Sequence, residues 1–166
     1  MLSAMICVMP VMALAYCPGL DPSLPGYDPG YYSVQKELAR SRYVIVGRVV
    51  AETWLGDDGK PKPLHPPFQG GGARPWGLDP YAGAVYEIKV LRVIKGRPGP
   101  KLALFSENST ARFSLDIGGE YLLFVSEGTF DDPIGRRLTI DTCGNSAPLA
   151  SAKEVLKLLA GRSKGR

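Results

Sequence analysis

Along much of this chain, apolar and polar positions alternate with a period of two, the signature of strands that bury one face. The run Arg42-Tyr43-Val44-Ile45-Val46-Gly47-Arg48-Val49-Val50-Ala51-Glu52 is rich in β-branched residues and predicts a first strand. Gly47 in its middle predicts a bulge or sharp bend, which lets one long strand serve both halves of a small barrel. Residues 84–95 form the strongest strand pattern. Tyr86, Ile88, Val90 and Ile94 fall on one face, with Glu87, Lys89 and Lys95 on the other. Leu91 and Val93 share the polar face, so the far half is expected to be buried on both sides. Further strands are expected at 102–107, 120–125 and 138–143, with a shorter piece at 112–115 before Gly118-Gly119.

Two stretches change period. Ser33 precedes Val34-Gln35-Lys36-Glu37-Leu38-Ala39-Arg40, an imperfect capping box followed by good helix formers, and predicts a helix over 34–41. Residues 149–159 carry Ala152, Val155, Leu156, Leu158 and Leu159 on a stripe, with Lys153, Glu154 and Lys157 facing out. This second helix is expected to pack on the barrel, with Gly161 near its C-cap. The fold class is therefore mainly β: a five-stranded OB-fold-like barrel with one helix before it and a C-terminal helix packed on it.

The chain holds 20 Gly and 15 Pro, clustered in residues 18–30 and 56–83. The long 56–83 stretch, with Gly70-Gly71-Gly72, is either a mobile insertion or a loop anchored by Phe68, Trp76 and Tyr81. Residues 1–15 carry no charge and end on Ala13-Leu14-Ala15, which predicts a signal peptide cut after Ala15, although the positive n-region is missing. The expected organisation is a signal peptide at 1–15, an extended segment and short helix at 16–41, a barrel with its terminal helix at 42–160, and a basic tail at 161–166.

Export gives the cysteines their meaning. Cys7 leaves with the signal, so Cys17 and Cys143 have one possible pairing, and an oxidising compartment favours a disulfide. Closing so long a loop would stabilise the fold by about 4–5 kcal/mol at most. The net charge of +4 arises from Lys153, Lys157, Arg162, Lys164 and Arg166 against Glu154 near the C-terminus; the rest of the chain balances. No basic, aromatic-interleaved face is visible, so nucleic acid is not an expected partner.

Candidate chemistry is sparse. His65 is the only histidine and cannot build a His-rich metal site. Asp57-Asp58 and Asp131-Asp132 lack the alternating oxygen ligands of a calcium loop and read as turn acids. Gly70-Gly71-Gly72 has no following Lys-Ser or Lys-Thr and is not a phosphate loop. Asn108-Ser109-Thr110 is a glycosylation sequon, of use only in a eukaryotic secretory route. Trp54, Phe68, Trp76 and Tyr81 either staple the long loop to the barrel or offer a partner-binding surface. No catalytic residue, metal site or cofactor is expected.

Several pieces stand together in order: Cys17; Tyr43-Val44-Ile45-Val46-Gly47-Arg48-Val49; Tyr86-Glu87-Ile88-Lys89-Val90 with Ile94-Lys95-Gly96; Gly119-Glu120-Tyr121-Leu122-Leu123-Phe124; and Cys143-Gly144-Asn145-Ser146 before the last helix. In this the chain resembles the netrin-like modules, and among them the tissue inhibitors of metalloproteinases and their bacterial relatives. The resemblance implies an extracytoplasmic OB-fold barrel. It also suggests inhibition of a zinc protease through the free amine and carbonyl of an N-terminal cysteine. Cutting after Ala15 leaves Tyr16 ahead of Cys17, and such a Cys17 has no free amine. Leu14-Ala15-Tyr16-Cys17 is also similar to a bacterial lipobox, except at Tyr16. A membrane partner would follow only if Cys17 is lipidated.

The expectation is a secreted or periplasmic, non-catalytic protein-binding module. Its partner surface is expected at Tyr16, Cys17, Pro18, Phe68, Trp76 and Tyr81. The alternative is a metalloprotease inhibitor acting through the Cys17 ridge, with a protease as the protein partner.

Overall fold

The computed structural model describes residues 27–28, 30–63, 81–109 and 112–163. The expected signal peptide, Cys17 and most of the long loop lie outside them. In order come α1 (Val34–Arg40), β1 (Tyr43–Gly56), β2 (Pro61–Lys62), β3 (Tyr81–Lys95), β4 (Lys101–Glu107), β5 (Glu120–Thr129), β6 (Arg136–Ile140), β7 (Ala147–Pro148) and α2 (Lys153–Ser163).

Five strands pair in a closed ring. β1 pairs antiparallel with β3, β3 with β4, β5 with β6, and β5 returns to β1. The seam between β4 and β6 is parallel and rests on one register pair, Leu104 with Leu138. The mainly β ring flanked by two helices is the expected fold class. β1 can use both of its edges because it bends at the expected place: its register with β3 shifts between Val46 and Gly47. A Cβ at position 47 would collide with the Ile88 side chain, so this bend requires glycine.

Period-two alternation divides the apolar residues into two layers. Ile45, Val49, Tyr86, Ile88, Leu104, Tyr121, Leu123, Val125 and Ile140 fill the interior of the ring. Val44, Val46, Leu122 and Phe124 point outward and are covered by Leu159 of α2, by Ala152 just before it, and by Val34 and Leu38 of α1. Each large side chain so buried contributes about 1.5–3 kcal/mol. α2 packs on the sheet through Leu159, with Val155 and Leu156 beside it, whereas Leu158 of the expected stripe is 54% exposed and Gly161 lies within the helix rather than at its cap.

The structure corrects four expectations. The far half of β3 is not buried on both sides, since Leu91 and Val93 are 41% and 46% exposed. Ile94 joins the helix-covered layer, and the opposite side has no covering element among the described residues. Residues 112–115 form no strand; Phe113 and Leu115 instead lay their side chains against the interior cluster. The last ring strand ends at Ile140, because residues 141–146 are drawn into a turn. α2 starts at Lys153, since Leu149 to Ser151 form a turn in which the Ser151 N–H donates to the Pro148 carbonyl.

Two latches fix α1. The Ser33 hydroxyl caps its start, accepting from the Lys36 N–H at 3.4 Å. Glu37 does not complete a capping box. It is 2% exposed, and its Oε2 accepts from the Asn145 N–H at 2.7 Å and from Asn145 Nδ2 at 2.6 Å. Asn145 Nδ2 also donates to the Tyr32 carbonyl at 2.7 Å. At the other end, Lys95 Nζ donates to the carbonyls of Leu38, Ala39 and Ser41 at 2.6, 2.9 and 2.7 Å. It thereby satisfies groups that a helix C-terminus leaves open. Gly96 beside it has φ +84°, and a Cβ there would stand 2.7 Å from the Arg42 carbonyl.

Candidate functional site

The open end of the ring carries the site. Here meet the end of β1, the start of β3, the end of β4, the β5–β6 turn and the connection at 112–116. A satellite cluster of Leu55, Phe105 and Ile134, backed by Val85 and Phe130, packs at this end. Phe105 and Phe130 meet edge to face, with centroids 4.8 Å apart. The β1–β2 turn touches the β5–β6 turn. Gly59, at φ +70°, lies so close that a Cβ would stand 3.1 Å from Pro133. Asp57 on one turn and Asp131 and Asp132 on the other line the same groove.

Between these turns runs a groove of about 510 Å³, lined by Asp57, Tyr81, Phe105, Glu107, Asn108, Phe130, Asp131, Asp132 and Ile134 among others. Its floor is apolar and its rim acidic. Elsewhere the described carboxylates are engaged. Glu120 pairs with Arg48, Glu127 with Arg42 and Arg136, Glu87 with Lys101 and Asp58 with Lys62. Asp28, Asp141 and Glu154 are also ion-paired, Asp116 accepts from Tyr121, Glu37 from Asn145, and Glu52 is bonded to Tyr86. The described carboxylates with neither an ion pair nor a side-chain hydrogen bond are Asp57, Glu107, Asp131 and Asp132. All four line the groove.

A polar chain braces its wall. Asn108 Nδ2 donates to the Tyr81 carbonyl at 3.0 Å, and Arg112 Nη1 donates to Asn108 Oδ1 at 2.8 Å. The Arg112 guanidinium carbon lies 5.7 Å from the Trp54 ring centroid, and Trp54 leans on Tyr81 at 5.2 Å. Behind this brace lies a smaller cavity of about 200 Å³ with Glu52, Trp54, Tyr86 and Arg112 in its walls. Burial, then the hydrogen bond to Glu52, pushes the Tyr86 hydroxyl up to about 12. The Trp54 indole N–H is buried and has no hydrogen-bond partner. A third cavity, of about 240 Å³, opens along the β4–β6 seam between Ser106, Thr139 and Ile140.

Of the sequence-predicted partner residues only Tyr81 is described; Tyr16, Cys17, Pro18, Phe68 and Trp76 lie outside the described residues. Tyr81 is 7% exposed, and its hydroxyl donates to the Pro63 carbonyl at 2.7 Å, tying together the two ends of the loop. It serves the groove as a wall. Cys143 is half-buried in the turn after β6, two residues from the Glu37 socket, and its N–H donates to Asp141 Oδ1 at 2.9 Å. His65 and Gly70-Gly71-Gly72 also fall outside the described residues. Asn108 uses both atoms of its side-chain amide within the brace.

Sequence reasoning treated Asp57 and the pair Asp131-Asp132 as separate turn acids and gave no role to Glu107, Phe130 or Ile134. No local signal joins them, since turn-to-turn packing assembles the groove. Among the described residues no three His, Cys, Asp or Glu side chains are placed to hold a metal ion, and no helix is long and apolar enough to cross a membrane. No protein-family model matches the chain, and no curated protein matches it.

Proposed function

We propose that this protein is an extracytoplasmic, non-catalytic binding module of the netrin-like type that engages a partner protein with the open end of its ring. The observation that carries this reading is the groove, where an apolar floor is framed by the only described carboxylates left without partners. Its volume suits a few residues of a partner rather than a whole interface, which buries about 800 Å² on each side. It is thus an anchor within a larger contact. The ring with its flanking helices agrees with the architecture that the resemblance implies, and the apolar start with export. A Cys17–Cys143 bond would draw the N-terminal segment onto the turn that already receives Glu37.

Site-specific photo-crosslinking in the native secretory background tests the reading. A crosslinker at Ser109 or Asp132, both exposed on the groove, should give one discrete protein adduct; one at Leu158 on α2 should not. Phe130→Glu should abolish the adduct while leaving the far-ultraviolet spectrum intact. Equal labelling from Leu158, or no adduct from the groove, would reject the proposal. An adduct that proves to be a zinc protease inactivated by this chain would assign the inhibitor role instead. Replacing residues 64–80 by a short linker measures separately what Phe68 and Trp76 add.

A further inference from the structure

We infer that the groove receives a cationic, extended segment of the partner: a Lys- or Arg-bearing stretch with an apolar side chain between its charges. This rests on the groove being the protein-binding surface and goes on to name the chemistry of its occupant.

The argument is one of charge complementarity. Asp57, Glu107, Asp131 and Asp132 all line the groove, and none of them has an ion-pair partner among the described residues, although the chain as a whole carries a net charge of +4. Like charges crowded together repel, and covering them with a neutral or acidic surface would remove their hydration and return nothing. An ammonium or guanidinium group returns the lost interaction. The floor adds a second requirement. Phe130, half-buried over Phe105, offers an apolar seat between the acidic walls. The described guanidiniums that bond groove-lining residues are already engaged: that of Arg112 with Asn108 and the Trp54 ring, and that of Arg137 with the Ile134 carbonyl at 3.0 Å. An acidic peptide fails the first requirement, and a purely polar one fails the second.

The probe is a set of capped pentapeptides, Gly-Lys-Phe-Lys-Gly, Gly-Glu-Phe-Glu-Gly and Gly-Lys-Gly-Lys-Gly, titrated into the full mature chain and followed by amide chemical shifts. The first should move the amides of 107–109, 130–132 and 134, and bind at least about tenfold more tightly than the other two. Its affinity should collapse as salt rises from about 0.01 M to about 1 M, where the screening length falls from about 30 Å to about 3 Å. Asp131→Asn/Asp132→Asn, on an exposed turn, should weaken it several-fold, and adding Asp57→Asn and Glu107→Gln should remove it. The double variant keeps the test decisive if the quadruple variant does not fold.

The inference is overturned if the acidic peptide binds as well as the basic one, if none binds, or if the carboxylate variants leave binding unchanged. It is also overturned if the groove amides respond to protein dilution rather than to peptide, which would make the occupant a second copy of this chain. A groove-specific crosslinked partner together with failure of the lysine peptide would sink the cation inference alone. Loss of the crosslink would sink the binding function as well.

Discussion

Glu37 should be the most consequential single side chain outside the apolar core, because it couples two parts of the chain that share no strand. It is 2% exposed, and one carboxylate oxygen accepts two hydrogen bonds from Asn145, at 2.7 and 2.6 Å. In Glu37→Ala, the Asn145 N–H loses its acceptor, while Nδ2 keeps the Tyr32 carbonyl at 2.7 Å. One stranded donor, one weakened donor and the space of the missing side chain together cost about 3 kcal/mol. For a domain of this size that corresponds to a fall of about 10 °C in Tm. Glu37→Gln keeps an acceptor oxygen and should cost about 1 kcal/mol or less. The two variants also separate by pH. Burial, only partly opposed by the Asn145 hydrogen bonds, raises the Glu37 carboxyl above its ordinary value. The native state therefore holds this proton more tightly than the unfolded chain. This contribution is fully present below the unfolded pKa and is lost as pH rises through the folded one. Urea unfolding at a series of pH values reads it as a difference between wild type and Glu37→Gln. That subtraction removes Asp28 and Asp58, whose carboxyls are lowered and slope the other way. The wild-type advantage should shrink as pH rises from the ordinary carboxylate range. A difference that stays flat, or a Glu37→Ala loss under about 0.5 kcal/mol, would refute the socket.

Three further outcomes follow from the same contacts. Gly144→Ala should destabilise by about 1–3 kcal/mol in chemical unfolding, since its Cβ would collide with the Glu37 carboxylate; Gly144→Ala should cost much less when Glu37 is already alanine. Lys95→Met removes three donors from the C-terminal carbonyls of α1 and should cost about 1–2 kcal/mol, seen in hydrogen exchange as lost protection of 34–40 with β3 and β5 still protected. Tyr86→Phe should cost about 1 kcal/mol at neutral pH. Because the Tyr86 hydroxyl titrates at about 12 in the fold against about 10 in the unfolded chain, wild type should lose that advantage between these values, as alkaline unfolding curves would show.

What the sequence disclosed and what it withheld divide along a physical line. β1 and β3 were legible because they are rich in β-branched residues, β4 and β5 because short apolar runs stand between turn residues, and Gly47 showed the bend because only the absence of a Cβ lets Ile88 approach. The 112–115 stretch misled for a related reason. Phe113 and Leu115 alternate as a strand would, but β3 already pairs along β4, so the segment lies over the end of the ring and contributes side chains alone. The last strand was extended too far because residues 141–146 take their shape from Glu37, more than a hundred positions earlier. The quoted Lys95-Gly96 and Gly144-Asn145-Ser146 motifs are of this kind. Lys95 closes α1, Asn145 holds Glu37, and the Ser146 hydroxyl accepts from the Phe124 N–H at 2.9 Å, so their spacing serves the framework. The groove lies beyond any local pattern. Asp57 shares a groove with Asp131 and Asp132, which lie on a separate turn, and Gly59 lets the one turn press against Pro133 of the other. Turn acids of this sort are ordinary one at a time. They become a candidate site when tertiary packing sets them around one groove and leaves them without ion pairs among the described residues, and that is why the proposed binding chemistry rests on carboxylates that lack partners rather than on any motif.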